Sequence, residues 1–241
     1  MDELKFKPAF VIGTALMLSA LIFGSFYYFG QSATGQDVLS VTGSTKTRVT
    51  SDQAKLVVAL LRVAPVSTLS EGYKNIARDL ALVRGLLEKE GIPATDIIES
   101  PVSMNQMYDQ YNSGGEIKYE LRQTVSVQSG DVNKITELSK KVPDLSAQGV
   151  IISIQALEYY YSKLPDLRIS LLSEAVKDAK FRAEKIADGT GRKIGSVETA
   201  SNGVVQVLTP NSVEVSDYGS YDTSSIEKDV MVTIKASFRL K

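Results

Sequence analysis

Residues 174–195, EAVKDAKFRAEKIADGTGRKIG, carry the pattern that decides the fold. Alanine recurs at every fourth position from Ala175 to Ala187, and glycines follow from Gly189 to Gly195. Residues four apart lie on one face of a helix, so the small side chains form a single row that allows close approach to a sheet. Glycines are typical of helix ends. We therefore expect a long helix from about Pro165 to Gly189, packed on strands.

The segments around this helix predict a mixed α+β fold. Residues 56–61 are apolar at every position, which predicts a central strand covered on both faces. A helix is expected from a capping box at Thr68 and Glu71 to Gly91 and Pro93. Further strands are expected at about residues 97–107, from 117, at 150–160, at 194–207 and at the C-terminus, with a shorter helix at about 132–142. Two strand-helix-strand-strand repeats, 53–129 and 148–240, are thus joined by a short helix.

The N-terminus predicts a membrane anchor. Residues 8–30 contain no charged side chain and would span roughly 34 Å as a helix, against a bilayer core of about 30 Å. Lys5 and Lys7 precede this run, and no Lys or Arg follows it until Lys46, so the N-terminus, residues 1–7, is expected in the cytoplasm. Residues 31–37 then form a linker, and residues 38–241 form one extracytoplasmic (periplasmic) domain. The alternative is a cleaved secretory signal, although the run is longer than usual for one.

Composition excludes several kinds of active site. The chain has no Cys, His or Trp, which removes thiolate nucleophiles, Cys/His zinc sites and Ser-His-Asp triads. Its formal charge of -1 argues against nucleic-acid binding. Carboxylate, Lys, Tyr and Ser-Lys chemistry remain, but no pattern selects any of them. We expect no enzyme activity, no cofactor and no metal.

Four local patterns resemble sites but have simpler interpretations. The glycines after residue 188 close a helix, whereas a phosphate loop opens one. Asp217 and Asp222 lack the ligand spacing of a calcium loop. Three successive tyrosines at 159–161 alternate between the two faces of a strand and cannot form one platform. Glu174 and Asp178 are one helical turn apart, but neighbouring basic residues favour a solvated helix face.

Two polar loops remain as candidate assembly or binding loops. One is the hairpin tip at 108–115, with Tyr108 and Tyr111, and the other is residues 209–225, with Tyr218 and Tyr221. Long loops within compact domains are often functional. Plain disorder is the alternative for the second loop.

Together these motifs resemble the SIMPL domain family of bacterial envelope proteins, over roughly residues 38–241. The matching features are the opening Val41-Thr42-Gly43-Ser44, Ser51-Asp52-Gln53-Ala54 in place of Pro-Asp-x-Ala, Gly91-Ile92 with Asp96-Ile97, the alanine-rich helix and the closing alternating strand. Ser44 and Ser51 depart from the family's usual Gly and Pro. The resemblance implies a mixed α and β fold, a tendency to form ring-like or barrel-like oligomers, and no established catalytic residues.

The leading hypothesis is a non-enzymatic envelope protein that is held in the inner membrane by one N-terminal helix and assembles as a homo-oligomer. A monomeric ligand-binding or sensor domain that signals to a membrane partner is the alternative, and it would require a concave apolar pocket. A carboxylate-based hydrolase would need two acidic residues with divergent pKa values in one cleft.

Overall fold

The computed structural model describes residues 17, 19–25, 37–107, 116–213, 216 and 218–241. They form a mixed α+β fold, as the sequence pattern predicts. The strands are β1 (Val38–Thr50), β2 (Gln53–Pro65), β3 (Ile97–Glu99), β4 (Ser103–Met107), β5 (Lys118–Ser129), β6 (Ile152–Tyr160), β7 (Ile194–Leu208), β8 (Ser220–Tyr221) and β9 (Glu227–Leu240). The α-helices after residue 37 are α1 (Leu69–Lys89), α2 (Val132–Lys141) and α3 (Leu164–Gly189).

The predicted anchor, residues 8–30, lies mostly outside the described residues. Residues 19–25 are helical. Within the described part of the chain, no helix combines the length and the apolar character needed to cross a membrane.

A five-stranded antiparallel sheet is built around β2. The order is β3-β5-β2-β6, and β4 also pairs with β5. The register of β2 with β5 runs from Ala54 opposite Ser129 to Pro65 opposite Lys118, and the pairing with β6 shifts at Val57 and Val58. The predicted strand at 97–107 is therefore two short strands on the outer side of β5.

One face of this sheet is covered by helices and contains the main core. Leu56 and Leu60 of β2 and Leu121 of β5 are buried against Ile76 of α1 and Ile135 of α2. The prediction that β2 is covered on both faces is wrong. Its alternate residues, which point to the other side of the sheet, are half-buried at Val57 and Leu61 and half-exposed at Val63, with Ala59 alone fully buried.

The ends of α1 show which capping signals operate. A 3-10 turn, Val66–Thr68, leads into the helix. Thr68 is the N-cap, so the predicted start is confirmed, but its side chain makes no capping hydrogen bond, so the hydrogen bonding of the predicted capping box is wrong. The predicted stop is confirmed. Gly91 adopts a φ of 69°, and the Ile92 amide donates to the Leu87 carbonyl at 2.9 Å.

A second sheet has the strand order β1-β9-β7-β8. Strand β8 lies within the predicted loop 209–225 and pairs in parallel with β7 at only two positions, Gln206 opposite Ser220 and Val207 opposite Tyr221. The element order repeats as expected, but β6 joins the five-stranded sheet rather than this one. Two repeats in sequence therefore do not produce two equivalent sheets.

The chain divides into two compact units. The larger unit contains residues 43–178 and 202–234, and the smaller contains residues 1–42, 179–201 and 235–241. In the larger unit, Leu171 of α3 is buried against Val207 of β7 and against Val230 and Val232 of β9. The first part of α3 therefore packs on the second sheet.

The smaller unit contains the last turns of α3 and the outer ends of three strands. Ala179, Ala183 and Ala187 are almost completely buried, which agrees with the predicted small-residue row. The backbones of Lys193 and Lys241 exchange two hydrogen bonds, of 3.1 and 2.8 Å. These contacts tie the start of β7 to the end of the chain.

Candidate functional site

The larger unit contains an open cleft of about 550 Å³. Leu164 and Arg168 of α3 form one side, residues 203–205 and Val207 of β7 form a second, and residues 218–221 form the third. The lining surface is divided almost evenly between polar and apolar atoms. Among the described residues that line it, Arg168 is the one titratable group apart from the two tyrosines.

The cleft follows the edge of β7 rather than one of its faces. Gly203, Val204 and Val205 are consecutive, and consecutive strand residues point to opposite faces, so a cleft lined by all three runs beside the backbone. Strand β8 pairs with β7 only from Gln206 onward. The Val205 carbonyl lies on the cleft side, 3.1 Å from the position that a Cβ on Gly219 would occupy.

Two of the four tyrosines that the sequence singles out lie in this cleft. Tyr218 is 98% exposed, whereas Tyr221 is tied to the end of β6. The ring centroids of Tyr221 and Tyr160 are 6.1 Å apart, and the Tyr161 amide donates to the Tyr221 hydroxyl at 3.3 Å. Tyr108 and Tyr111 fall outside the described residues, so the first predicted loop stays a prediction.

A buried lysine, Lys228, binds the loop segment that directly follows β8, the strand on one side of the cleft. The Lys228 side chain is fully buried, and its Nζ donates to the Asp222 carbonyl at 2.5 Å and to the Ser225 carbonyl at 2.7 Å. The ammonium group also lies 3.6 Å from the Asp222 carboxylate and 5.9 Å from the Tyr221 ring centroid. Burial lowers the pKa of Lys228, and the Asp222 carboxylate only partly opposes this shift.

Asp222 completes this anchor from the other side. Its carboxylate accepts hydrogen bonds from the backbone amides of Ser224 and Ser225 and from both of their hydroxyls. Burial raises the pKa of Asp222, but these hydrogen bonds and Lys228 outweigh it and hold that pKa far below its ordinary value. The carboxylate that the sequence offered as a weak cation ligand is thus used to shape the turn.

The beginning of the same loop is held by a second buried acid. Asp229 accepts from the Arg48 guanidinium at 2.9 Å, from Lys46 at 3.2 Å and from the Asn211 amide at 3.0 Å. The hydrogen bond from Arg48 holds the pKa of Asp229 well below its ordinary value, and the contacts from Asn211 and Lys46 add to this shift. Asn211 adopts a φ of 64°, a conformation that asparagine tolerates better than most residues. Asn211 and Asp222 are therefore both held by side chains of β9, Asn211 by Asp229 and Asp222 by Lys228.

The backbone of residues 222–226 also bonds to β6 of the five-stranded sheet and to the turn between β1 and β2. The Tyr159 amide donates to the Thr223 carbonyl at 2.8 Å, and the Ser51 amide donates to the Ile226 carbonyl at 2.8 Å. On the other side, the Asp222 amide donates to the Val207 carbonyl at 2.8 Å. The described part of the predicted loop is consequently ordered by both sheets rather than left free.

The remaining patterns have structural roles. The phosphate-loop resemblance at 189–195 is a helix end, in which the Arg192 amide donates to the Ala187 carbonyl at 2.9 Å. Tyr159 is buried and its hydroxyl bonds Thr136 at 2.9 Å. Among the described residues, no group of three or more acidic side chains is placed to hold a metal.

Glu174 is exposed, as a solvated helix face predicts, whereas Asp178 is half-buried, and both also bond to β1. The Ser44 amide donates to Asp178 at 2.8 Å, and the Thr45 hydroxyl donates to Glu174 at 3.1 Å. The two carboxylates thus fasten strand β1 to α3.

Sequence reasoning missed Lys228, although a signal for it exists. Lys228, Val230 and Val232 are alternate residues of one strand, which predicts that all three point to the buried face of β9. A lysine at such a position needs acceptors in the core, and here the loop supplies them. By contrast, nothing in the sequence indicates that α3 passes close enough to β7 to form a cleft.

Comparisons with known proteins give a family but no activity. No curated protein matches the chain. A solved structure from Burkholderia cenocepacia, described as a "putative amidohydrolase/peptidase", matches with 15% identity and a TM-score of 0.27, over 54% of this chain and 32% of that one. So low a TM-score carries no information about fold or activity, and this chain spans about a third of that protein. The model of the SIMPL family, a protein of unknown function (DUF541), matches residues 39–238, and the chain therefore belongs to the SIMPL family.

Proposed function

We propose that this protein is a non-enzymatic scaffold of the cell envelope, anchored in the inner membrane by residues 8–30 and assembled into a homo-oligomer through its SIMPL domain. The observation that carries the proposal is the side of the five-stranded sheet on which no described residue forms a helix. It is called here the open face and is defined by Val57, Leu61, Val63, Ile98 and Met107. Helices α1 and α2 occupy the other side, which contains the core.

The open face carries exposed apolar side chains. Ile98 lies opposite Ser126, which in turn lies opposite Val57, so these residues form one row across the strands. Ile98 is 69% exposed and Val63 is 50% exposed. On this face, polar residues of β5 such as Glu120, Arg122 and Ser126 lie between the apolar side chains of β2 and those of β3 and β4. Interfaces between proteins commonly combine apolar and polar surface.

Arg122 supports a partner on this face. It lies opposite Leu61, and its guanidinium reaches across β2 to donate to the Gln155 amide oxygen at 3.1 Å. Its Nε is buried and has no hydrogen-bond partner among the described residues. Since Nε is covered by its own chain, a second copy would contact the outer end of the guanidinium group, where it meets Gln155.

The other parts of the proposal rest on the sequence. The uncharged run at 8–30, with Lys5 and Lys7 before it, supports a single-pass anchor with the N-terminus inside. The SIMPL membership supports an envelope location by resemblance. The absence of Cys and His from the whole chain removes thiolate nucleophiles, His-containing triads and Cys/His zinc sites, which supports a non-enzymatic role.

The test is the mass of the detergent-solubilised full-length protein, measured by light scattering during size-exclusion chromatography. Ile98→Glu places a charge on the open face, and we expect it to lower the mass to that of one chain. Ile169→Glu is the matched control, because Ile169 is 72% exposed on α3, away from the open face. A monomeric parent protein, or loss of assembly in the control alone, would contradict assembly through this face.

A monomeric ligand-binding or sensor domain is the second candidate, and the cleft beside β7 favours it. Its volume falls in the range of about 300–1,000 Å³ that is usual for ligand sites. Under this candidate the full-length chain is monomeric, and resonances of residues 203–205 and 218–221 shift when a ligand is added. Absence of any such shift with a library of small carboxylates and peptides would remove it.

A further inference from the structure

The smaller unit is basic, although the chain as a whole is nearly neutral. Residues 37–42, 179–201 and 235–241 of this unit contain eight Lys or Arg side chains and four Asp or Glu. The larger unit contains 17 basic and 22 acidic side chains, so the excess of positive charge is concentrated in the smaller unit. Such an asymmetry is typical of proteins with an anionic partner.

Most of this excess lies on one face of the sheet in the smaller unit. Side chains alternate between the two faces of a strand, and Phe238 of β9 is buried. The exposed side chains on the opposite face of β9 are Lys235, Arg239 and Lys241. Lys193 shares their face, because its backbone exchanges two hydrogen bonds with that of Lys241, and directly opposed residues of antiparallel strands point the same way. These four side chains, called here the basic face, extend over roughly 20 Å along β9.

The basic face contains little acidic charge to balance it. Arg239 donates a hydrogen bond to Glu198, which is the one described acid that pairs with these four side chains. The three lysines form no salt bridge with any described residue. Between them, the hydroxyls of Ser237 and of Ser40 on β1 are 2.8 Å apart, so the middle of the face is small and polar. Three ammonium groups are therefore available to an anionic partner.

The point at which the chain enters β1 places this face near a lipid surface. Residues 8–30 form the proposed anchor, and the seven residues 31–37 that follow it span at most about 25 Å. The Asp37 carbonyl accepts a hydrogen bond at 2.7 Å from the amide of Leu240, the residue before Lys241. This end of the basic face is consequently held within about one linker length of the bilayer.

We propose that the basic face binds the anionic lipid headgroups of the membrane that holds the anchor. This inference rests on the anchor in the proposed function, and it does not depend on oligomerisation. Each Lys or Arg close to an anionic bilayer adds to the attraction, and a long lysine side chain can reach the phosphate groups while its ammonium stays hydrated. Such contacts would orient the smaller unit on the membrane surface.

The experiment measures how fast an acetylating reagent modifies each lysine of the full-length protein in nanodiscs, with mass spectrometry as the readout. Nanodiscs of phosphatidylcholine alone are compared with nanodiscs that also contain phosphatidylglycerol. We expect Lys193, Lys235 and Lys241 to react about fivefold more slowly in the anionic nanodiscs, the factor that corresponds to the attraction of one basic side chain. In about 1 M salt, where the screening length is about 3 Å, the difference should disappear. Lys74, exposed on α1 in the larger unit, is the internal control and should react equally in both.

A charge reversal locates the effect. Lys241→Glu should reduce the protection of Lys193 and Lys235, whereas Lys74→Glu, the matched control, should leave it unchanged. Equal reaction rates in the two kinds of nanodisc, equal slowing at Lys74, or full protection in Lys241→Glu would overturn this inference and leave the anchor standing. A chain that enters neither kind of nanodisc would contradict the anchor, and this inference with it.

Discussion

Lys228 is the most unusual side chain in the described structure, because a fully buried ammonium group holds a surface loop. Replacing it with methionine keeps most of the aliphatic stem and removes the donor. In the parent, Lys228 Nζ lies 2.5 Å from the Asp222 carbonyl oxygen and 2.7 Å from that of Ser225. The variant would leave both carbonyls without this donor and the Asp222 carboxylate without its cation.

The magnitude follows from these contacts. Two hydrogen bonds from a charged donor contribute about 1.5–3 kcal/mol each, but the cost of burying the ammonium group offsets part of this. Because burial lowers the pKa of Lys228, that cost is real, and we expect Lys228→Met to lower the free energy of unfolding by about 2 kcal/mol. Lys228→Ala also opens a cavity in the core and should cost about 4 kcal/mol.

Urea unfolding of the full-length protein in detergent, followed by circular dichroism, measures both values. Hydrogen exchange at residues 220–226 should rise in Lys228→Met, since the loop loses its anchor. Lys235→Met is the control: Lys235 lies on the same strand but is exposed, so its substitution should change stability by less than about 0.5 kcal/mol. If Lys228→Met unfolds at the same urea concentration as the parent, the ammonium group does not stabilise the loop.

Three further predictions concern stability. Asp79→Asn should cost about 3 kcal/mol in urea unfolding, because the buried Asp79 accepts from Arg62 at 2.5 and 2.8 Å and the guanidinium would lose its carboxylate; an effect under about 0.5 kcal/mol would contradict this. Gly72→Ala should destabilise α1 by about 1–3 kcal/mol, since a Cβ there would lie 2.6 Å from that of Ala64. The same change at Gly85, where nothing lies within 4 Å, should stabilise the helix by about 0.5–1 kcal/mol, and equal effects at the two glycines would refute the packing. The folded-state pKa of Asp222 lies below its ordinary 3.8, so the contribution of this carboxylate to the free energy of unfolding is complete above about pH 4 and is lost as the pH falls further. The acid-induced loss of stability should therefore be smaller in Asp222→Asn than in the parent. Identical dependence of stability on pH in the two proteins would count against this role.

Helices and strands were predictable because their signals are local. The alanine row of α3 predicts a buried face from spacing alone, and Ala179 and Ala183 are fully buried. The alternation after Lys118 likewise predicts one core face of β5. The capping-box pattern at Thr68 located the start of α1 but not its hydrogen bonding, because a 3-10 turn enters the helix there and Thr68 makes no side-chain cap.

Sheet partners were not predictable, because alternation gives the faces of a strand but not its neighbours. Strand β6 directly precedes α3, yet it pairs with β2 rather than with β7. For the same reason, the cleft could not be predicted from the sequence. Tyr218 and Tyr221 were singled out for their loop, whereas Arg168, more than forty residues earlier, meets them only because α3 packs on the second sheet.

The open face makes the central claim measurable. Electron microscopy of the intact polypeptide, purified in detergent, should reveal closed particles of several copies that share one detergent belt and contact one another through the β2 and β3 surface. Particles containing a single copy, or contacts in which Val63 and Ile98 remain exposed to solvent, would contradict the account.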